Sequence, residues 1–265
     1  MIINIIIATA IIGGVGLFVG LFLGVAGIKF GVETNPKEEE VLAVLPGNNC
    51  GGCGYPGCAG LAAAIANGEA PVNACPVGGE VVGKKVAAIM GVEATETKKM
   101  VAFVKCQGDC DKAKVDYEYE GAPDCTMLGF VPNGGPKSCN QGCLGYGNCV
   151  KACPFDAIHV VNGVAVVDKE KCKACGKCVA ACPKNLIELV PYDKTIHVSC
   201  SSTEKGPIAM KACDTACIGC GICAKNCPAG AISVDNFLAK IDYDICIDCG
   251  TCVEKCPRKA ILRQD

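Results

Sequence analysis

Read as a succession of apolar and polar positions, the chain starts with its longest apolar run. From Ile5 to Ile28 there are 24 residues without a charge, and Thr9 is the only polar one. At 1.5 Å per residue a helix of this length rises about 36 Å, against a bilayer hydrocarbon thickness of about 30 Å. The pattern therefore predicts a single-pass transmembrane anchor over 1–30. A cleavable leader would need a basic start, a shorter apolar stretch and a small-residue cleavage site, and no charge precedes this run. Lys29 and Lys37 follow it, which by the positive-inside rule predicts that the rest of the chain faces the cytoplasm at a cell membrane. Gly16, Gly20 and Gly24 share one helix face and would admit a neighbouring helix, although glycine is also simply frequent in membrane helices.

After the anchor the pattern shortens. Pro36 opens a polar linker into KEEEVLAVLPG, a helix with acids in its first turn and Pro46-Gly47 at its end. CAGLAAAIANG after Cys58 and residues 79–100 read as further helices. From Met100 the period changes: VAFVKC, AIHVVNGVAVVD, NLIELV, TIHVSC and AISVDNFLAKID read as short strands and hairpins. The expected fold class is α+β, with domains at 1–30 (anchor), 31–95, 96–200 and 201–265.

Composition changes this picture in one respect. Aromatic residues make up 5% of the chain and Trp is absent, whereas there are 25 cysteines in 265 residues. A large conventional core is excluded, and the cysteines stand at metal-ligand spacings, which implies a reducing compartment and folding coupled to metal binding. The formal charge of −2 counts every thiol as neutral, so thiolate ligands make the protein more acidic. Lys and Arg are dispersed with no basic run interleaved with aromatics, which argues against a nucleic-acid partner.

The cysteine runs carry the chemistry. CIGCGICAKNCP and CIDCGTCVEKCP are each the C-x2-C-x2-C-x3-C-P run of two-cluster bacterial ferredoxins, in which three thiolates hold one iron-sulfur cluster and the fourth goes to its partner. Cys217, Cys220, Cys223 and Cys256 are then expected to hold one [4Fe-4S] cluster, and Cys246, Cys249, Cys252 and Cys227 another. Pro228 and Pro257 stop the following turn from continuing as helix. A zinc site would show four ligands with a wider gap between its two Cys pairs.

An equivalent pair of runs lies upstream. KCKACGKCVAACP has ideal spacing, and KSCNQGCLGYGNCVKACP reads as a stretched version, C-x3-C-x5-C-x3-C-P. Crosswise assignment gives Cys139, Cys143, Cys149 and Cys182 for one cluster and Cys172, Cys175, Cys178 and Cys153 for the other. Nearer the anchor, NCGGCGYPGC and a later CP supply Cys50, Cys53, Cys58 and Cys75 for a fifth, with structural zinc as the competing reading. His159 and His197 are not at ligand spacing and read as structural.

These five sites leave Cys106, Cys110, Cys125, Cys200 and Cys213. Cys106 ends VAFVKC and Cys200 ends TIHVSC, while Cys125 and Cys213 each precede a ferredoxin run, which suggests an internal duplication. Side by side, the two copies would enclose a sixth cluster at Cys106, Cys125, Cys200 and Cys213, with Cys110 an alternative ligand or free thiol. The plainer reading is a set of buried, inert thiols.

The order of apolar helix, NCGGCGYPGC…CP, CLGYGNCVKACPFDAI and two ferredoxin runs resembles the B subunit of the Rnf complex, a membrane-bound, ion-translocating ferredoxin:NAD oxidoreductase, in its long form with two ferredoxin modules. The resemblance implies a translocase component that accepts electrons from reduced soluble ferredoxin and relays them to membrane and peripheral subunits carrying the flavins and the NAD site. The chain itself has no G-x-G-x-x-G after a strand, no P-loop and no Ser-His-Asp arrangement, so it holds no complete active site. Lys255, Arg258, Lys259 and Arg263 beside the last Cys run are candidate contacts for an acidic donor. A polyferredoxin serving a hydrogenase or other reductase, and a cluster protein without electron traffic, are the competing readings.

Overall fold

The computed structural model describes residues 2–29, 35–94 and 98–264. Helix α1 spans Ile2–Lys29. Among the described residues, however, no helix is long and apolar enough to cross a membrane. This overturns the expected transmembrane anchor. The side chains of Ile5, Thr9 and Ile28, which delimit or interrupt the expected span, lie outside the described residues, and within α1 the longest continuous stretch of described side chains is 11–27. Gly16, Gly20 and Gly24 have nothing packed against them within 4 Å. The expected domain boundaries at 30/31 and 95/96 also touch residues outside the described ones.

Three helices build the next unit. Helix α2, Pro36–Val44, starts at Asn35, whose side chain accepts the Lys37 N–H, with Pro36 at a first-turn position where its missing N–H costs nothing. Helices α3 (Gly57–Ala66) and α4 (Gly79–Met90) follow. The left-handed Gly91 ends α4 well short of the expected residue 100. Val41, Leu61, Ile65 and Val86 are almost wholly buried between them, with Cys53, Cys58 and Cys75 packed on the same core.

The remainder is a structural repeat. In the first copy, β1 (Met100–Val104) is followed by α5 (Asn148–Ala152), the hairpin β2 (Ile158–Val161) and β3 (Val164–Val167), α6 (Lys177–Ala180) and β4 (Ile187–Pro191). In the second, β5 (Ile196–Val198) leads through α7 (Gly206–Ala212) to α8 (Ile222–Lys225), the hairpin β6 (Ile232–Asp235) and β7 (Leu238–Ile241), α9 (Thr251–Lys255) and β8 (Ile261–Arg263).

In both copies the first and last strands pair antiparallel, β1 with β4 and β5 with β8, and the inner hairpin closes on itself. Because β5 pairs with β8, residues 196–198 belong to the second ferredoxin unit and not to the first. The hairpins turn at Asn162-Gly163 and Asn236-Phe237, all four residues with positive φ, the backbone that a two-residue turn between right-twisted strands requires. Each short helix of the repeat, α5, α6, α8 and α9, begins after a left-handed glycine: Gly147, Gly176, Gly221 or Gly250. Such a glycine lets the chain fold from a ligand loop directly into helix, a turn that a β-carbon would strain.

Candidate metal centres

The cysteines gather into groups of four. In the second repeat, Cys217, Cys220, Cys223 and Cys256 line one cavity. Cys252 has Cys246 and Cys249 as neighbours, and Cys227 packs on the same core. In the first repeat Cys178 is neighboured by Cys172, Cys175 and Cys153. Near the N-terminus Cys75 is neighboured by Cys58 and Cys50, with Cys53 in the same cluster of side chains. Spacing alone proposes the same sets, with Cys53 and Cys227 placed only by the core that they share with the others.

The other two groups differ from the expectation. One cavity is lined by Cys125, Cys143, Cys149 and Cys182, and Cys149 has Cys143, Cys182 and Cys125 as neighbouring thiols. Cys139 is not in this group. It lines a separate cavity with Cys106, Cys200 and Cys213. The structure thus exchanges Cys125 and Cys139 relative to the sequence reading. Cys110 joins neither; it is exposed, with its backbone N–H on the Asn162 carbonyl.

The exchange has a local cause. Cys143 and Cys149 enclose five residues, and so do Cys217 and Cys223, where the middle one is Cys220. The first run is therefore not lengthened: Tyr146 stands at the position of Cys220, and the missing thiol arrives from a distant loop. Asn148 fastens that loop. Its side-chain oxygen accepts the Cys125 N–H at 3.0 Å and its amide donates to Asp124 at 2.9 Å. This hydrogen bond is the main reason the Asp124 carboxyl is held below its ordinary range. Cys139, four residues before Cys143, corresponds to Cys213, four before Cys217.

Backbone N–H groups are aimed at the sulfurs. Gly78 donates to Cys75, Ala102 to Cys172, Leu186 to Cys182 and Ala260 to Cys256, at 3.3–3.4 Å. Such donors favour an anionic sulfur and tune cluster potential. Burial works the other way: it is the leading cause that pushes the thiols of Cys149 and Cys200 up to about 12 and those of Cys178 and Cys252 up to about 11, with neighbouring thiols adding to it. Four crowded, desolvated thiols become thiolates only if a metal centre supplies the compensating charge. Among the described residues no three His, Cys, Asp or Glu side chains converge as ligands of a single ion would. A cubane places its thiolates around a larger object. The donor sets and their N–H groups fit [4Fe-4S] clusters.

Successive groups touch. Cys50 is among the charges felt by Cys175, and a β-carbon on Gly52 would lie 2.6 Å from the Cys175 carbonyl oxygen, so only glycine permits this approach. Cys143 donates its N–H to the Cys106 sulfur, and Cys217 donates its N–H to the Cys200 sulfur, both at 3.3 Å. Cys252 lies near Cys223. Arg258, expected as a surface contact, instead donates Nη2 to the Cys213 carbonyl at 3.0 Å, with its Nε buried and unpartnered. Lys255, Lys259 and Arg263 are exposed. Of the two histidines, His159 is half exposed near Asp156 and His197 is buried.

Comparison with known proteins agrees with this geometry. An Fe-S cluster family model matches residues 45–77, and 4Fe-4S dicluster domain models match 135–183 and 216–261. The chain is 44% identical over 236 residues to the B subunit of the ion-translocating oxidoreductase complex of Methanosarcina acetivorans, covering 89% of each. It is 49% identical over 241 residues to the B subunit of the Na+-translocating ferredoxin:NAD+ oxidoreductase complex of Acetobacterium woodii, covering 91% of this chain and 72% of the relative. The chain belongs to the B-subunit family of ion-translocating ferredoxin:NAD oxidoreductase complexes. A further member, the B subunit of the proton-translocating ferredoxin:NAD+ oxidoreductase complex of Clostridium ljungdahlii, is 44% identical over 233 residues, 87% of this chain and 82% of the relative. Matches to shorter members, such as that of Thiobacillus denitrificans, cover 55% of this chain. Cys106, Cys125, Cys200 and Cys213 lie outside all three family models.

Proposed function

We propose that the chain is the electron-transfer component of an ion-translocating ferredoxin:NAD oxidoreductase complex, taking electrons from reduced soluble ferredoxin and passing them to the other subunits of a membrane-bound assembly. It takes part in that enzyme's reaction as a conductor, holding neither a flavin nor a nicotinamide site of its own. Five [4Fe-4S] clusters correspond to the Cys50, Cys143, Cys153, Cys217 and Cys227 groups. When bound, they supply one-electron redox chemistry at potentials set by hydrogen bonds and exposure.

The observation that carries this reading is continuity. Cys175 feels the charge of Cys50 and Cys252 that of Cys223, and the N–H groups of Cys143 and Cys217 bond the sulfurs of Cys106 and Cys200, so these donor sets lie close to one another. The residues' own contribution is to hold thiols at fixed separations, aim N–H groups at them and keep water from the buried ones. The exposed ligands Cys220 and Cys249 put an edge of the C-terminal module at the surface, beside Lys255 and Lys259. A soluble, acidic one-electron donor docking there would use a small, charge-guided interface.

The test is stopped-flow reduction of the anaerobically purified complex by reduced ferredoxin and by dithionite. Lys255→Glu with Lys259→Glu is expected to slow the ferredoxin reaction several-fold at low salt, to lose that effect as ionic strength rises, and to leave the dithionite reaction unchanged. Ferredoxin reduction that is unaffected at every salt concentration would move the docking face elsewhere. A complex whose clusters ferredoxin cannot reduce would defeat the reading itself.

A further inference from the structure

The two repeats meet along a seam that holds the cavity of Cys106, Cys139, Cys200 and Cys213, and the N-terminal unit lies against the first repeat at Cys175. Thiols at these contacts have protein on their outer side. The group of Cys246, Cys249, Cys252 and Cys227 is placed differently. Cys252 has Cys223 of its own module on one side, while Cys249 is exposed.

The duplication shows what this open face is shaped for. The loop from Cys246 to Cys252 has the spacing of the loop from Cys172 to Cys178. Asp248 and Ala174 hold matching places in the two loops, and both take a left-handed backbone, with φ of 56° and 51°. Each donates its N–H to the sulfur two residues earlier, Cys246 or Cys172, at 3.5 Å. The loops therefore share one conformation, and Cys249 presents in the second repeat the face that Cys175 presents in the first. In the first repeat an iron-sulfur unit stands at that face. The backbone of Gly52 closes on the Cys175 carbonyl, and Lys173 lines the cleft between the two bodies together with Cys53 and Cys75.

The side chains of the second loop are turned the opposite way from those of an ordinary surface loop. Its polar groups are used inward. The Lys194 ammonium donates to the Cys246 carbonyl at 2.6 Å, the Asp248 carboxylate accepts the N–H groups of Thr195 and Ile196, each at 3.1 Å, and Asp244 pairs with Lys98 at 2.7 Å. With these anchors in place Ile245 and Ile247 are left outward, 51% and 63% exposed. They occupy the positions of the exposed Lys171 and Lys173 of the first repeat. A single exposed isoleucine needs no explanation. Two of them flanking Cys246, beside an exposed thiol of the same group, match the apolar centre of a small interface.

We infer that residues 244–250 form the seat of the soluble iron-sulfur donor, which docks on the second repeat as the N-terminal unit docks on the first, with Ile245 and Ile247 as the apolar centre of the contact and the Cys246 group as the point of entry. This deepens the reading of the chain as a carrier fed by reduced ferredoxin and rests on it. Lys255 and Lys259 guide an acidic donor towards the module, and the isoleucines hold it. Each encounter oxidises the donor by one electron and reduces the centre held by Cys246, Cys249, Cys252 and Cys227 by one. No bond is made or broken and no proton is required.

Stopped-flow reduction of the anaerobically purified complex tests the seat. Ile245→Ser with Ile247→Ser is expected to raise several-fold the ferredoxin concentration needed for half-maximal reduction, at low and high salt alike, because salt screens charges and not apolar contacts. Iron content and reduction by dithionite should stay as in the wild type. Where the serine pair loses iron, Ile247→Thr, which keeps a branched side chain, gives the same reading. Lys171→Ser with Lys173→Ser should leave ferredoxin reduction at high salt unchanged, because the N-terminal unit already stands at that face. No effect of the isoleucine pair at any salt concentration, or slowing by the lysine pair alone, overturns the seat and leaves the carrier role intact. A wild-type complex that ferredoxin cannot reduce overturns that role instead. Wild-type chains that pair in solution and separate when the two isoleucines are replaced would give the face to a second copy and overturn the proposal.

Discussion

The rings of Phe103 and His197 lie 4.4 Å apart, one from the first strand of each repeat. On its other side His197 meets Tyr243, whose hydroxyl is 2.8 Å from Nδ1. This contact, together with the thiols behind it, ties the repeats. Burial is the main cause lowering the His197 pKa; a hydrogen bond that the ring donates to the Lys194 backbone and the charge of Asp248 oppose it only in part.

The sign of the resulting pH dependence follows directly. In the unfolded chain the histidine titrates near 6.5, while in the folded protein it resists protonation, so between the two values the unfolded state holds more protons and stability rises with pH. The contribution is complete above about 6.5 and is lost as pH falls below it. His197→Phe is therefore expected to lose less stability than the wild type when denaturation of the cluster-loaded protein is compared at pH 7.5 and 6.0. An equal loss in both would assign the acid sensitivity to other groups.

Arg258 makes a second prediction. Its guanidinium is held against the Cys213 carbonyl and also borders the cavity of Cys217 and Cys256. Removing a fixed positive charge makes adding an electron harder. Arg258→Gln should lower one or two midpoint potentials, on the order of tens of millivolts, given that 1.4 kcal/mol corresponds to about 59 mV for one electron. Redox titration followed by EPR reads this directly, and potentials all within a few millivolts of wild type would count against it.

Much of this architecture was legible from spacing and period, and the exceptions share a physical origin. The hairpins at 158–167 and 232–241 follow from two-residue alternation around Asn162 and Asn236. The thiols gathered around Cys217 and Cys172 follow from local runs, because a short loop can wrap only the corners it reaches. Cys125 could not be read that way: it comes to Cys149 through the tertiary hook of Asn148, and assigning the nearest upstream thiol, Cys139, instead was the natural error. The signal that could have found it was the equal length of 143–149 and 217–223, which marks Tyr146 as the position without a ligand. Arg258 looked like a surface charge because sequence carries no record of the seam beneath it. Hydropathy across 5–28 suggested a membrane span, whereas among the described residues no helix is long and apolar enough to make one.

Cys110 supplies a contrast among the leftover thiols. It is exposed, sits beside the Asn162-Gly163 turn and lines none of the cysteine cavities. Cys110→Ala should keep the full iron content and the EPR spectrum of the wild type, whereas Cys106→Ala should lose about four irons. Iron loss from the Cys110 variant comparable to that from Cys106→Ala would mean that the seam holds five competing thiols.

The exchange of Cys125 for a ligand at position 146 can be reversed by mutation. Tyr146 occupies the middle position of its run, as Cys220 does in the second repeat, and neighbours both Cys125 and Tyr119. A cysteine at 146 would present its thiol from the same loop that carries Cys143 and Cys149, so the distant loop would no longer be needed to complete the site. Cys125→Ser alone is expected to remove about four irons per chain, and Tyr146→Cys added to it to restore them. Asn148→Ala should hasten loss of iron from this one site to a chelator in the native background, where Cys125 is the ligand, yet have much less effect in the Cys125→Ser, Tyr146→Cys protein. Failure of the double variant to regain iron, with the other clusters intact, would show that the Cys220-like position is closed to a ligand in the first repeat and that Cys125 is bound there by more than the absence of a nearer thiol.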